Sequence, residues 1–89
     1  MLTIYGSRLC KHCRACLAAY DEEQIEYTFL DFGEELSNLK AFLKIRDGNP
    51  LFDEARKEGR IGIPCIVTPA GEVTQDWRSF CSREHPPVE

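Results

Sequence analysis

Two apolar, β-favouring runs, Leu2–Tyr5 and Ile25–Phe32, flank a stretch from Lys11 to Glu23 that holds neither Gly nor Pro. Within that stretch Cys13, Cys16, Leu17 and Tyr20 fall at the i, i+3, i+4, i+7 spacing of one helix face. A tight turn joins antiparallel strands only. A helix-length connection carries the chain back to the end of the sheet where it started, so the two strands are expected to be parallel, with the helix crossing one face. Gly6-Ser7 breaks the first strand just before the helix, which the spacing starts near Cys10.

Leu36, Leu39, Phe42, Leu43 and Ile45 form a helical stripe within Glu34–Arg46. Asp47-Gly48-Asn49-Pro50 then combines stop and start signals: Gly48 suits a left-handed C-terminal cap, Asn49 an N-cap and Pro50 a first helical position. A short helix through Glu58, ended by Gly59, is expected next. Ile61–Thr68 is β-rich, with Pro64 placed at the start of a third strand because proline cannot donate within a ladder. Pro69-Ala70-Gly71 is a turn, and Glu72–Gln75 a short fourth strand that closes a hairpin. Asp76 is expected to N-cap a last helix from Trp77 to about Arg83, with His85-Pro86-Pro87 driving the tail into the open and His85 on the surface. The predicted architecture is α/β, β-α-β-α-(α)-β-β-α, with a mixed four-stranded sheet in a single domain, residues 1–89.

An 89-residue chain has room for one modest core. Its 43% hydrophobic and 29% charged residues are those of an ordinary globular protein. The net charge of -4 argues against a general nucleic-acid binder. No stretch approaches the length of a membrane span and the N-terminus runs straight into a strand, so no membrane partner and a cytoplasmic address are expected. Five cysteines, an odd number with three crowded at Cys10, Cys13 and Cys16, fit redox or metal chemistry in a reducing compartment better than a disulfide framework.

Cys10-Lys11-His12-Cys13 is a C-x-x-C between a strand and the first turn of a helix, and that context makes it a redox candidate. The unpaired N–H groups and the positive dipole end of the helix favour a thiolate at Cys10, the expected nucleophile. Cys13, one turn on and on the same side, is placed to resolve the mixed disulfide. Arg8, Lys11, His12 and Arg14 surround the pair with no acid among them; Lys11, His12 and Arg14 are expected to tune the thiolate and stabilise the reduced form. Cys16, Cys65 and Cys81 read as core thiols.

Tyr5, the C-K-H-C pair with its following helix, and Gly62-Ile63-Pro64 ahead of a hairpin and a final helix together resemble the glutaredoxin family over nearly the whole chain, with Asn49–Glu58 as an insertion. The resemblance implies a thioredoxin-like three-layer fold and thiol–disulfide oxidoreductase activity on protein disulfides or glutathione mixed disulfides. It implies a cis peptide before Pro64, with the backbone of Ile63 pairing with substrate. Arg8, next to the Ser7 that stands in place of a family lysine, and Asp76, after Thr74-Gln75 where the family has paired glycines, complete the implied glutathione-binding residues. No tightly bound cofactor or metal is implied. Glutathione as co-substrate, or a thioredoxin reductase-type donor, and disulfide-containing proteins are the implied partners. Two other classes compete: a metal or iron–sulfur module using Cys10, Cys13, Cys16 and Cys65, and a redox-sensing protein-binding module similar to arsenate reductase-related regulators, which are longer chains with an additional helical subdomain.

Overall fold

A computed structural model describes residues 1–88. The elements in chain order are β1 (Leu2–Gly6), α1 (Lys11–Glu22), β2 (Tyr27–Asp31), α2 (Leu36–Asp47), a 3-10 turn (Pro50–Phe52) running into α3 (Asp53–Lys57), β3 (Cys65–Val67), β4 (Val73–Thr74) and a second 3-10 turn (Trp77–Phe80). The sheet order is β2-β1-β3-β4. β1 and β2 are parallel, with Ile4 opposite Phe29, and β3 is antiparallel to both β1 and β4. The protein is therefore α/β with a mixed four-stranded sheet, as the chain's patterning predicts.

Alternation along the central strands splits the core in two. Ile4 and Ile66 pack with Cys16, Leu17, Ala19 and Tyr20 of α1 and with Trp77. Their neighbours Tyr5 and Cys65 belong to a second cluster built on Phe42 of α2 and Phe52 of the 3-10 turn. Phe42 touches Phe32 and Phe52 at centroid separations of 5.4 and 5.7 Å, the latter edge to face, a favoured aromatic arrangement. Burial of Phe52 and Ala55, with Glu54, Lys57 and Glu58 exposed, makes Asn49–Glu58 a packed connector.

Helix ends follow backbone chemistry. α1 ends where Ile25 N–H reaches the Tyr20 carbonyl at 2.9 Å across Gln24, which sits at φ 58°; this capping bond delays β2 to Tyr27. α3 ends the same way, with Gly59 at φ 74° and the Arg60 N–H bonding the Ala55 carbonyl at 2.7 Å. Asn49 caps the 3-10 turn, its Oδ1 accepting from Leu51 N at 2.9 Å, and Pro50 takes the first position. Gly48 is not left-handed: at φ -106°, ψ 5° it passes directly into the Asn49 cap.

The C-terminus departs most from expectation. Trp77–Phe80 makes one 3-10 turn instead of a helix to Arg83, Cys81 is extended, and Asp76 does not cap it by its side chain. The backbone beyond bonds to side chains instead. Glu23 accepts from Ser82 N–H at 2.7 Å, and Arg78 donates to the His85 and Pro86 carbonyls at 2.7 and 2.9 Å. The Glu23 bond docks the tail against the end of α1, and the Arg78 bonds tie it to the 3-10 turn. Val88 joins the α1-side core, and His85 is largely covered instead of lying on the surface, its ring 6.2 Å from that of Trp77. No helix among the described residues is long and apolar enough to cross a membrane.

Candidate active site

The end of β1 and the start of α1 build the cysteine pair. Cys10 takes the N-cap position with extended backbone, φ -90° and ψ 122°, and its carbonyl accepts the first helical bond, from Arg14 N–H at 3.0 Å. Its own N–H closes a turn onto the Ser7 carbonyl at 3.1 Å, and Ser7 Oγ accepts from Leu9 N–H. Cys10 is half-buried at the head of a twelve-residue helix, where the helix dipole favours an anion.

Cys13, one turn on, is fully buried. A Cβ on Gly6 would lie 2.7 Å from its Sγ, so the absence of a side chain at Gly6 makes the sulfur's niche. Burial pushes the Cys13 thiol up to about 12, and the neighbouring Cys10 adds to the rise while the Ser7 backbone opposes it. Of two sulfur-bearing residues a turn apart, one is half-buried and the other fully buried.

A groove of about 430 Å³ opens beside Cys10, walled by His12, Arg60, Gly62, Ile63, Pro64, Gln75 and Trp77. Cys10 lines it and Cys13 does not, so a molecule in the groove meets only the first sulfur. The Ile63–Pro64 peptide is cis, as the resemblance implies, and Pro64 is buried directly before β3. Gly62, at φ 96°, leaves room for Phe52 and Gln75: a Cβ there would stand 2.7 Å from Phe52 Cδ1 and 3.0 Å from Gln75 Nε2. Gln75 Nε2 donates to the Gly62 carbonyl at 3.2 Å, tying the end of the hairpin to the groove wall.

The expected site residues divide. Cys10, His12, Ile63 and Pro64 meet at the groove. Arg8, Lys11, Arg14 and Asp76 are exposed and do not line it. Arg8 turns toward β2, with Nε 3.7 Å from the buried Asp31 carboxylate and its guanidinium 4.9 Å from the Phe29 ring centroid. Arg14 donates to the Arg8 carbonyl at 2.7 Å and braces the loop before the pair. Asp76 directs backbone groups to Ser79 and Thr74, and its neighbour Gln75 supplies the groove's amide.

The sequence reading missed Arg60, Gln75 and Asp31. Arg60 is carried to the groove by the left-handed turn at Gly59, a signal visible in the sequence only as a helix stop. Asp31, closing β2, is buried with Oδ1 accepting from Gly33 N–H at 2.8 Å, and its place after an apolar run gave no sign of that role. The four thiols of the metal-module reading do not converge: Cys16 lies in the α1-side core and Cys65 in the α2-side core.

No family model matches the chain, and no solved structure matches it. It is similar to an uncharacterized protein of Haemophilus influenzae, with 29% identity over 73 residues that span 82% of this chain and 85% of that protein.

Proposed function

We propose that this protein is a thiol–disulfide oxidoreductase with a thioredoxin-like fold of the glutaredoxin type, acting through Cys10 and Cys13. One observation carries the reading: of two cysteines a turn apart, the one at the helix start faces a groove beside Ile63–Pro64, and the other is sealed beneath Gly6. That disposition suits a nucleophile and a resolving thiol.

The Cys10 thiolate attacks one sulfur of a substrate disulfide, and the other sulfur leaves as a thiolate. Cys13 then loses its proton and attacks the Cys10 sulfur of the mixed disulfide. The Cys10–Cys13 disulfide forms and the second substrate thiol departs. The substrate has gained two electrons and two protons, which glutathione or a reductase-type donor restores to the pair in a reducing, cytoplasmic setting. Ile63 offers backbone to an extended substrate. His12, the Gln75 amide and Arg60, whose guanidinium pairs with Glu58 at 2.6 Å, give the groove polar walls that suit a glutathionyl group. Protein disulfides and glutathione mixed disulfides are accordingly the substrates.

The test is turnover of a glutathione mixed disulfide, anaerobically, with glutathione as sole reductant. Wild type is expected to turn over, Cys10→Ser to be inactive, and Cys13→Ser to keep part of the activity because glutathione can resolve the intermediate directly. Equal activity in wild type and Cys10→Ser overturns the assignment of the nucleophile. No turnover by wild type removes glutathione as the donor, and failure with a reductase-coupled protein disulfide as well overturns the function.

A further inference from the structure

A second cluster of chemically competent side chains lies away from the redox pair, where the docked tail meets the end of α1. Glu23, Cys81 and His85 place a carboxylate oxygen, a thiol sulfur and an imidazole nitrogen within 4.8 Å of one another, and no other group of three such donors occurs among the described residues. They come from the end of α1, the end of the last 3-10 turn and the tail. A groove of about 700 Å³, lined by His12, Trp77, Arg78, Cys81, Ser82 and His85, opens beside them.

The donors are held in place. His85 Nε2 meets Glu23 Oε2 at 2.5 Å, while Ser82 N–H and Oγ engage the other carboxylate oxygen at 2.7 and 2.8 Å. One oxygen of Glu23 is thereby anchored, and the other faces the imidazole while accepting a longer bond from Arg83 N–H at 3.4 Å. On the far side of the ring, His85 Nδ1 lies 3.9 Å from Glu22 Oε2, and Arg78 grips the carbonyls of His85 and Pro86. A ligating histidine whose second nitrogen faces a carboxylate, and a ligating carboxylate anchored by hydrogen bonds, are the outer contacts that fix ligands around metal ions. The cluster does not resemble a cysteine–histidine nucleophile couple. Both ring nitrogens face carboxylates, and burial together with Glu23 pushes the Cys81 thiol up.

We propose that Glu23, Cys81 and His85 form a three-ligand site for a divalent transition ion of the zinc class, with its fourth position open to the groove. The mixed sulfur, nitrogen and oxygen donors favour such an ion. Magnesium and calcium take oxygen ligands, and iron–sulfur clusters are held by several cysteine thiolates where this site has one. Tetrahedral zinc binds such donors at about 2.0–2.3 Å. The ion displaces the hydrogen between His85 and Glu23, whose nitrogen and oxygen, 2.5 Å apart without it, move apart to admit it, and the neutral ring then carries its hydrogen on Nδ1, toward Glu22. The Cys81 thiol gives its proton to solvent, and no electron is transferred. The site staples the tail to α1, joining Cys81 and His85 to the helix that begins at Cys10.

The experiment titrates zinc into the full, reduced chain under anaerobic conditions against a competing chelator. The ring resonances of the two histidines are followed in parallel, and cobalt serves as an absorption probe. Wild type and the Cys10→Ser/Cys13→Ser double variant are expected to take up one equivalent, with the larger ring shift at His85 and a smaller one at His12 on the groove wall, and cobalt to give thiolate charge-transfer absorption in both. Cys81→Ser should abolish that absorption and weaken zinc by more than the roughly 10- to 100-fold typical of losing an outer partner. Glu22→Gln should weaken it by about 10-fold. No uptake by wild type, uptake unchanged in folded Cys81→Ser, or uptake lost in the Cys10→Ser/Cys13→Ser variant overturns the proposal. If Cys81→Ser fails to fold, the His85 shift and the cobalt absorption of the double variant decide alone: absence of either overturns it. The redox pair is missing from that variant, so the outcome is independent of the proposed oxidoreductase activity.

Discussion

Gly6→Ala tests whether the packing above Cys13 governs the chemistry of the pair. The added Cβ would stand 2.7 Å from Cys13 Sγ and 3.2 Å from Phe29 Cε1, against about 3.5–4.0 Å for comfortable contact, so the sulfur must retreat by about 1 Å. Neither partner can yield easily. Cys13 is fully buried, and β1 is pinned at this point because the Gly6 carbonyl accepts from Phe32 N–H at 2.9 Å. Overpacking of this kind costs about 1–3 kcal/mol, and the stiffer unfolded chain of alanine offsets about 0.4–1 kcal/mol of it. A net loss of about 1–2 kcal/mol lowers Tm by roughly 5–15 °C in a domain of this size.

The kinetic signature is more specific than the stability loss. A displacement of 1 Å at a reacting atom can cost about 100-fold in rate, and in the proposed cycle only the resolving step uses Cys13. Gly6→Ala should therefore accumulate the Cys10 mixed disulfide during reduction of a protein disulfide, as Cys13→Ser does, while the first attack by Cys10 proceeds at nearly the wild-type rate. Urea denaturation gives the stability, and acid quenching followed by intact-mass measurement gives the intermediate. A Gly6→Ala protein within 0.5 kcal/mol of wild type that shows no accumulated intermediate, on a scale where surface changes alone reach about 0.5 kcal/mol, would refute the packing argument.

Burial raises Cys13, Cys16 and Cys65 each to about 12. The unfolded chain ionises these thiols near 9 and the native one does not, so their contribution is complete below pH 9 and is lost as the pH rises from 9 toward 12. The loss is up to about 1.4 kcal/mol per pH unit per thiol, roughly 4 kcal/mol per pH unit for the three, and urea melts of the reduced protein between about pH 9 and 10, below the range in which the raised Tyr20 and Tyr27 add their own loss, should show a clearly shallower slope in Cys16→Ala/Cys65→Ala. Gln24→Gly, which relieves a left-handed residue at φ 58°, should raise stability by about 0.5–1 kcal/mol in the same melts; a neutral or destabilising result contradicts the strain reading. Tyr20→Phe removes the 2.8 Å bond from Tyr20 Oη to the Trp77 carbonyl, and should cost about 1–3 kcal/mol and raise KM, because Trp77 forms a wall of the Cys10 groove.

What could be read in the sequence was local or periodic. The C-x-x-C needs only a strand, a break and a helix start within a dozen positions, all set by neighbouring residues. The parallel pairing of β1 and β2 follows from the length of their connection. The C-terminus failed because Trp77 and Phe80 recur at a spacing that one 3-10 turn satisfies as well as a longer α-helix, and no capping bond from Asp76 extends the turn. Pro86 and Pro87 suggested an open tail, yet the groups that hold it, Glu23 and Arg78, become its neighbours only after the chain folds back on α1. Arg60 and Gln75 escaped notice for a similar reason: they flank β3 and β4 in sequence and meet only when the hairpin brings Gln75 to the Gly62 carbonyl.

The contrast between the two cysteines also sets the order of events in the proposed cycle. With its thiol pushed up to about 12 by burial, Cys13 stays protonated at pH 7, so it competes poorly for any substrate even if one could reach it. Yet resolution requires that same sulfur to become a nucleophile. The proton must therefore leave Cys13 after the mixed disulfide has formed, when the Cys10 sulfur no longer carries charge and the thiolate expelled from the substrate is still beside the groove to accept it. Gly6 supports both halves of this scheme. By letting Cys13 sit deep beneath β1 it keeps the thiol protonated while Cys10 attacks, and by leaving the sulfur unobstructed it holds Cys13 one helical turn from the bond it must break. A side chain at Gly6 would move the resolving sulfur away from that bond, whereas a polar group beside Cys13 would ionise it too early and let both sulfurs act as nucleophiles.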